Sequence, residues 1–213
     1  MQILEDVFGS RINIAVLRYL TAISGSLSGN EIAKRLQLQQ SSVRLSLERL
    51  VNTGVITRTD IGRSAAYELD NRLAFVRTLL IPLFREEANL RDRLLNGLIR
   101  DIGKMKPKPK AVILFGSLAR GLRDFRDVDL LCVAEIQNHK SLLHDAVANS
   151  FNQIQRNFNV PVSAVVATES ELKSRKLESV VSAARKEGLL LFGTVPGALC
   201  KIRSWQVENG NSK

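Results

Sequence analysis

Ile12, Ala15, Val16, Tyr19 and Leu20 recur at helical spacing, and this predicts an amphipathic helix over residues 10–23. A loop follows at 26–28. Ser28, with Glu31 three residues on, forms a capping-box pattern and predicts a short helix over 29–36 with Ile32, Ala33 and Leu36 inward. Residues 37–40 read as a turn. A third helix is expected with Ser41 as its cap and Val43, Leu47, Leu50 and Val51 as its apolar stripe, ending at Gly54. Residues 55–58 and 65–69 read as two strands joined by a glycine-containing turn over 59–63.

The helical period then continues through Leu73, Val76, Leu79, Leu80, Leu83 and Phe84, and again through Leu90, Leu94, Leu95, Leu98 and Ile99. Pro82 interrupts it, so two helices or one helix kinked near Pro82 are expected. The alternating Lys and Pro of residues 105–110 cannot continue a helix and predict an extended linker. Beyond it, 112–115 is an apolar strand, and 130–133 is apolar again. Residues 140–158 read as a helix, 160–167 as a strand, 169–175 as a helix start capped by Thr168, 177–186 as a helix and 189–192 as a last strand. The expected fold class is therefore two-domain α/β (α+β), a helical domain with a hairpin followed by a mixed sheet with helices. The expected divisions are 1–75, a helical connector and linker over 76–110, a second domain over 111–200 and a polar tail over 201–213.

Composition narrows the function classes. The 213 residues have 45% hydrophobic content, enough for two small cores. No apolar run of membrane-spanning length occurs, so no membrane partner is read, and the acidic N-terminus lacks a signal-peptide pattern. Two cysteines, Cys132 and Cys200, give no disulfide framework or zinc spacing, which fits a reducing cytoplasm. His139 and His144 stand without a metal-spaced partner and read as surface residues. Net charge is +10. Residues 76–110 hold 9 Lys/Arg against 4 Asp/Glu, a denser excess than the 9 against 7 of residues 1–75 or the 13 against 10 of residues 111–213. An excess of this kind suggests a polyanionic partner, nucleic acid first.

The candidate chemistry sits in AVILFGSLARGLRDFRDVDLLCV, residues 111–133. Gly116-Ser117 ends an apolar strand and offers backbone N–H groups and a hydroxyl to a phosphate. Asp127 and Asp129, at i and i+2 of an expected strand, project to one face, where a divalent cation is the usual partner of paired carboxylates. Arg120 can neutralise phosphate charge, and Arg123 and Arg126 are alternatives. On the expected third helix, Gln39, Gln40, Ser41, Ser42, Arg44, Ser46 and Arg49 form an exposed polar side, and Arg58 and Arg63 flank the hairpin tip. Such groups suit base edges and phosphates of double-stranded DNA.

Two resemblances follow from these residues. LSGNEIAKRLQLQQSSVRLSLERLVNTGVITR resembles the winged helix-turn-helix family, which implies DNA binding by the helix and wing residues just named, and a homodimer joined by the Leu-rich helix. GSLARG, then Asp127-Val128-Asp129-Leu130, then ARKEGLLLFG, resembles the DNA polymerase beta-like nucleotidyltransferase superfamily, in particular its minimal prokaryotic members. That resemblance spans residues 111 to about 193. It implies that Gly116 and Ser117 hold a nucleoside triphosphate and that Asp127 and Asp129 are catalytic and bind Mg²⁺. It also implies a protein partner, since such domains often act as antitoxins that modify a toxin. A third carboxylate is expected on the 160–167 strand. Ser163 stands there instead, and Glu169 and Glu171 lie at or past the strand end. A serine hydroxyl is a poor ligand for Mg²⁺ and no base near neutral pH. The leading expectation is thus a DNA-binding transcriptional regulator with a partial nucleotide site. The alternative is an active, antitoxin-like nucleotidyltransferase.

Overall fold

The structure is a computed structural model describing residues 3–121, 125–199 and 202–205. The chain divides into two compact units, Met1–Leu90 and Arg91–Lys213. The Lys/Pro segment over 105–110 lies inside the second unit, with Met105 buried.

In the first unit, α1 (Ile3–Phe8) and α2 (Arg11–Thr21) precede β1 (Leu27–Ser28), α3 (Gly29–Leu36), α4 (Gln40–Asn52), β2 (Ile56–Ile61) and β3 (Ser64–Leu69). Ser10 caps α2 by accepting from the Ile12 N–H at 3.2 Å. Ser28 caps α3 by accepting from the Glu31 N–H at 3.2 Å, and the left-handed Gln37 closes that helix. The third helix starts two residues earlier than expected. Gln39 is its N-cap, without a side-chain bond, so Ser41 lies inside the first turn and caps nothing.

The hairpin is tighter than expected. Ile61 pairs with Ser64, which leaves Gly62-Arg63 as a two-residue loop, with Gly62 at φ +59°. Leu27 and Ser28, expected as loop, pair with Tyr67 and Ala66 and complete a three-stranded antiparallel sheet ordered β1-β3-β2. Val16, Leu17, Ile32, Val43, Leu47, Leu50 and Ile56 form the core beside these elements.

A π-helical turn, Val76–Leu80, runs directly into α5 (Ile81–Lys104). Pro82 has no N–H to give to the carbonyl four residues back, and the ladder is rewired just before it: the Ile81 N–H donates to Val76 O. The interruption expected at Pro82 is therefore a change of helical pitch within one run of helix. Phe84 of α5 belongs to the core of the first unit, and Leu94, Leu95, Leu98 and Ile102 belong to the core of the second.

The second unit continues with β4 (Ala111–Phe115), α6 (Gly116–Ala119), β5 (Val128–Ala134), α7 (Lys140–Ser150), α8 (Asn152–Phe158), β6 (Val162–Thr168), α9 (Glu178–Glu187), β7 (Leu189–Gly193) and β8 (Arg203–Ser204). The helix expected over 140–158 is broken at Phe151, whose φ −95°, ψ 0° leaves the helical region. Two short 3₁₀ turns, Glu171–Lys173 and Arg175–Leu177, replace the helix expected after Thr168.

The sheet order is β6-β5-β4-β7-β8. β4 is antiparallel to both its neighbours, whereas β5–β6 and β7–β8 are parallel. Strands β4 and β5 are apolar without alternation because both faces of the sheet are covered. Val112, Leu114, Leu130 and Cys132 face one core with Leu143, Phe151 and Ile154. Ala111, Ile113, Leu131 and Val133 face the other with Val181 and Ala184 of α9. Burial pushes the Cys132 thiol up to about 12, so it is an inert core group. Cys200 lies outside the described residues. The fold class is mixed α/β with two sheets, as expected, and no helix among the described residues is long and apolar enough to cross a membrane.

Candidate functional site

The site forms where β4 ends. The register pairs Phe115 with Asp129, so the residue after Phe115 turns beside the start of β5. That residue is Gly116, at φ +77°. A Cβ there would lie 2.3 Å from Asp129 Oδ2, so both the left-handed backbone and the space demand glycine. Ser117 follows, half-buried, in the single turn of α6, and Leu118 and Ala119 anchor that turn in the core.

Asp127 is exposed and sits just before β5, not within it. Asp129, half-buried on β5, is the carboxylate that faces Gly116. Its pKa is raised, first by burial, then by the negative charges of Asp127 and Glu187. The two aspartates are thus near enough to repel, although only one lies in a strand. Ser163, exposed on β6, pairs with Asp129 in the parallel register. The position beside Asp129 on the neighbouring strand is therefore a hydroxyl, not an acid.

Glu169 and Glu171 are engaged elsewhere. Glu169 pairs with Lys110 and accepts from the Gly197 N–H at 3.0 Å. Glu171 binds Lys140 Nζ at 2.8 and 2.9 Å and accepts from the Thr168 N–H at 2.9 Å. Among the described residues, no group of three or more His, Cys, Asp or Glu side chains could hold a metal ion.

A carboxylate that the sequence reading passed over is part of the site. Glu187, the last residue of α9, accepts from the Gly116 N–H at 3.1 Å through Oε1 and from Arg120 Nη1 at 3.0 Å through Oε2. Arg120 therefore pairs with Glu187 rather than with either aspartate. Gly188 makes this placement fit: a Cβ there would lie 2.2 Å from Ala184 O and 3.1 Å from Ile113 Cγ2. One sequence signal pointed to Glu187. The end of a helix disfavours an anion, so an acid in that position wants a partner from outside the helix. Arg126 is exposed, and Arg123 lies outside the described residues.

The expected nucleic-acid residues lie at the surface of the first unit with one exception. Ser46 is buried, and its hydroxyl donates to Asn13 Oδ1 at 2.7 Å, so it is a core group and not part of the polar side of α4. Gln39, Gln40, Ser41, Arg44 and Arg49 are exposed, and Ser42 is half-buried. Arg44 pairs with Glu48 at 3.1 Å, and Arg58 with Asp60 at 2.8 Å. Arg49 and Arg63 hold no ion pair among the described residues. A cleft of about 390 Å³ lies between the start of α4 and the hairpin, lined by Gln40, Ser41, Arg44, Arg63 and Tyr67 among others.

Comparison with known proteins gives three findings. The family model described as nucleotidyltransferase domain matches residues 95–187, the stretch that holds Gly116, Ser117, Asp127, Asp129 and Ser163 and ends on Glu187. No curated protein matches the chain. Among solved structures, the chain is similar to the YusO protein from Bacillus subtilis, with 25% identity over 43% of this chain and 67% of that one and a TM-score of 0.31. It is similar to a tri-AMPylated Shewanella oneidensis HEPN toxin in complex with MNT antitoxin, with 17% identity over 49% and 74% and a TM-score of 0.33. It is also similar to a toxin–antitoxin solved with AMP-PNP, with 21% identity over 49% and 77% and a TM-score of 0.35.

Proposed function

From a nucleotidyltransferase domain at residues 95–187, we propose that this chain binds a nucleoside triphosphate with a divalent cation and moves a nucleoside monophosphate onto an acceptor. A protein partner is the acceptor we favour, as for an antitoxin. The observation that carries this reading is the Gly116 turn, which only glycine fits beside Asp129 and whose N–H is directed at an anionic oxygen, within the matched domain. Asp127 and Asp129 fit a cation in part. They are two repelling carboxylates, and among the described residues no third acid joins them in a group that could hold a metal, which suits one ion whose coordination is completed by phosphate oxygens. When bound, a cation there would neutralise phosphate charge. The chain's own residues then divide the remaining work. The Gly116 N–H donates to a phosphate oxygen, the Ser117 hydroxyl steadies a second, and Arg120 balances charge. Ser163 cannot take a proton from the acceptor, so turnover is slow relative to binding.

The test is calorimetry of the full chain with each of the four triphosphates and Mg²⁺. Binding of at least one is expected, and its loss in Asp127→Asn with Asp129→Asn. Silence with all four rejects the reading.

A second reading is favoured by the first unit. The capped α3, the left-handed Gln37, α4 and the Gly62-Arg63 hairpin follow the order of a winged helix-turn-helix. On this reading α4 enters a major groove, Arg58 and Arg63 reach phosphates, and the chain regulates transcription in the cytoplasm. The exposed Leu79, Leu83 and Leu90 would join two copies. A specific duplex bound by the chain, and released by Arg49→Ala with Arg63→Ala, is the expected result. Binding that ignores both changes rejects it.

A further inference from the structure

Glu187 stands at the negative end of α9, where Arg185 and Lys186 suit the helix and an acid does not. Its side chain is only 14% exposed. Burying a carboxylate is unfavourable unless donors satisfy it. The two donors that satisfy this one are the Gly116 N–H, 3.1 Å from Oε1, and the Arg120 guanidinium, 3.0 Å from Oε2. They are the same two groups that the proposed site offers to a phosphate. A carboxylate and a phosphate both present a pair of anionic oxygens to such donors.

We propose that Glu187 is an internal phosphate surrogate: it occupies the Gly116 N–H and Arg120 while no nucleotide is bound, and an incoming triphosphate must displace it. The inference rests on the nucleotide-binding reading of this site. It adds that the chain selects for cation-bound phosphate. With Glu187 in place, the Gly116 turn faces the carboxylates of Asp129 and Glu187 itself, and Asp127 lies near enough to Asp129 to repel it. A bare polyphosphate must expel one of these anions and settle beside the other two. A triphosphate that brings a cation gives Asp127 and Asp129 something to hold in return. Glu187 therefore holds the donors in position and discriminates between the two ligand forms.

The experiment compares wild type, Glu187→Gln and Glu187→Ala as full chains by calorimetry, with inorganic tripolyphosphate in the absence of divalent cations and with Mg·ATP. Gln keeps the volume and one acceptor for the Gly116 N–H but removes the charge, so it covers the case in which Ala unfolds. Tripolyphosphate should bind both variants about tenfold or more tighter than wild type, with a smaller gain for Mg·ATP. A prop that only supports the turn would give weaker binding on removal, and a carboxylate that ligates the cation would weaken Mg·ATP. Unchanged or weaker tripolyphosphate binding in both variants, with Mg·ATP still bound by wild type, overturns the surrogate and leaves the nucleotide reading standing. Silence of all three proteins toward both ligands overturns the two together.

Discussion

Glu171 is fixed by partners from two elements: the ammonium of Lys140 on α7, and the N–H of Thr168 at the end of β6. The hydrogen bond from Lys140, and after it the bond from Thr168, hold its carboxyl down from the ordinary 4.5 to about 2. A depressed carboxylate stabilises the fold fully above its unfolded value and loses that contribution as pH falls through the folded one. The window for Glu171 is therefore pH 4.5 down to about 2. Glu171→Gln should be less stable than wild type above pH 4.5 by about 1 kcal/mol or less, since the pair is partly open to solvent, and the two should converge near pH 2. Acid titration followed by circular dichroism checks this, and parallel curves throughout would contradict it. Asp129 runs the opposite way. Its raised value means that its ionised form is disfavoured in the fold, so its contribution is fully present below the ordinary 3.8 and is lost as pH rises through the raised value. An acid held that way is suited to a ligand, and one held like Glu171 is suited to structure.

At the scale of elements, the pairing of β5 with β6 decides how complete the site is. In a parallel pair, residues in register point to the same face about 4.8 Å apart. Ser163 is in register with Asp129, so Ser163→Asp would add a carboxylate beside the existing two. Nucleotidyl transfer from Mg²⁺-bound triphosphate should then rise about a hundredfold or more, the range that a positioned general base supplies. Transfer no faster than wild type, in a variant that still binds nucleotide, would mean that another part of the machinery is missing. This gap could be read from the sequence only through the family resemblance, which implies a carboxylate where Ser163 stands. The apolar runs of β4 and β5 and the capped α3 were legible from the residues themselves, as local patterns. Other features were not. β1 and β8 are two-residue strands that exist only through their partners, β3 and β7. Ser46 reads as surface from composition and is buried because Asn13, on α2, completes it. Glu187 meets Gly116 across 71 positions of sequence, and no local pattern reaches so far.

At the scale of the whole molecule, a net charge of +10 predisposes the chain to polyanions but does not choose among them. The choice turns on which cations are available. Arg44 and Arg58 are engaged by Glu48 and Asp60, so moving either to a phosphate exchanges one ion pair for another and gains little. Among the described residues Arg49 and Arg63 have no such pair to give up, so they should contribute more of the electrostatic attraction to DNA than Arg44 and Arg58. Taking away one cation that meets a phosphate flattens the slope of log affinity against log salt by about 0.9. Arg49→Ala with Arg63→Ala should then reduce the slope by about 2 and weaken binding at low salt more than at high salt. Arg44→Ala alone should change the slope by less than either. Two chains should bind per specific duplex if the exposed Leu79, Leu83 and Leu90 pair two copies, because a two-fold site needs two α4 helices. Fluorescence anisotropy across a salt series, with stoichiometry from the same titration, measures both quantities. An unchanged slope in the double variant would place the attraction elsewhere on the chain, and the dense basic stretch of residues 76–110 would be the next surface to test.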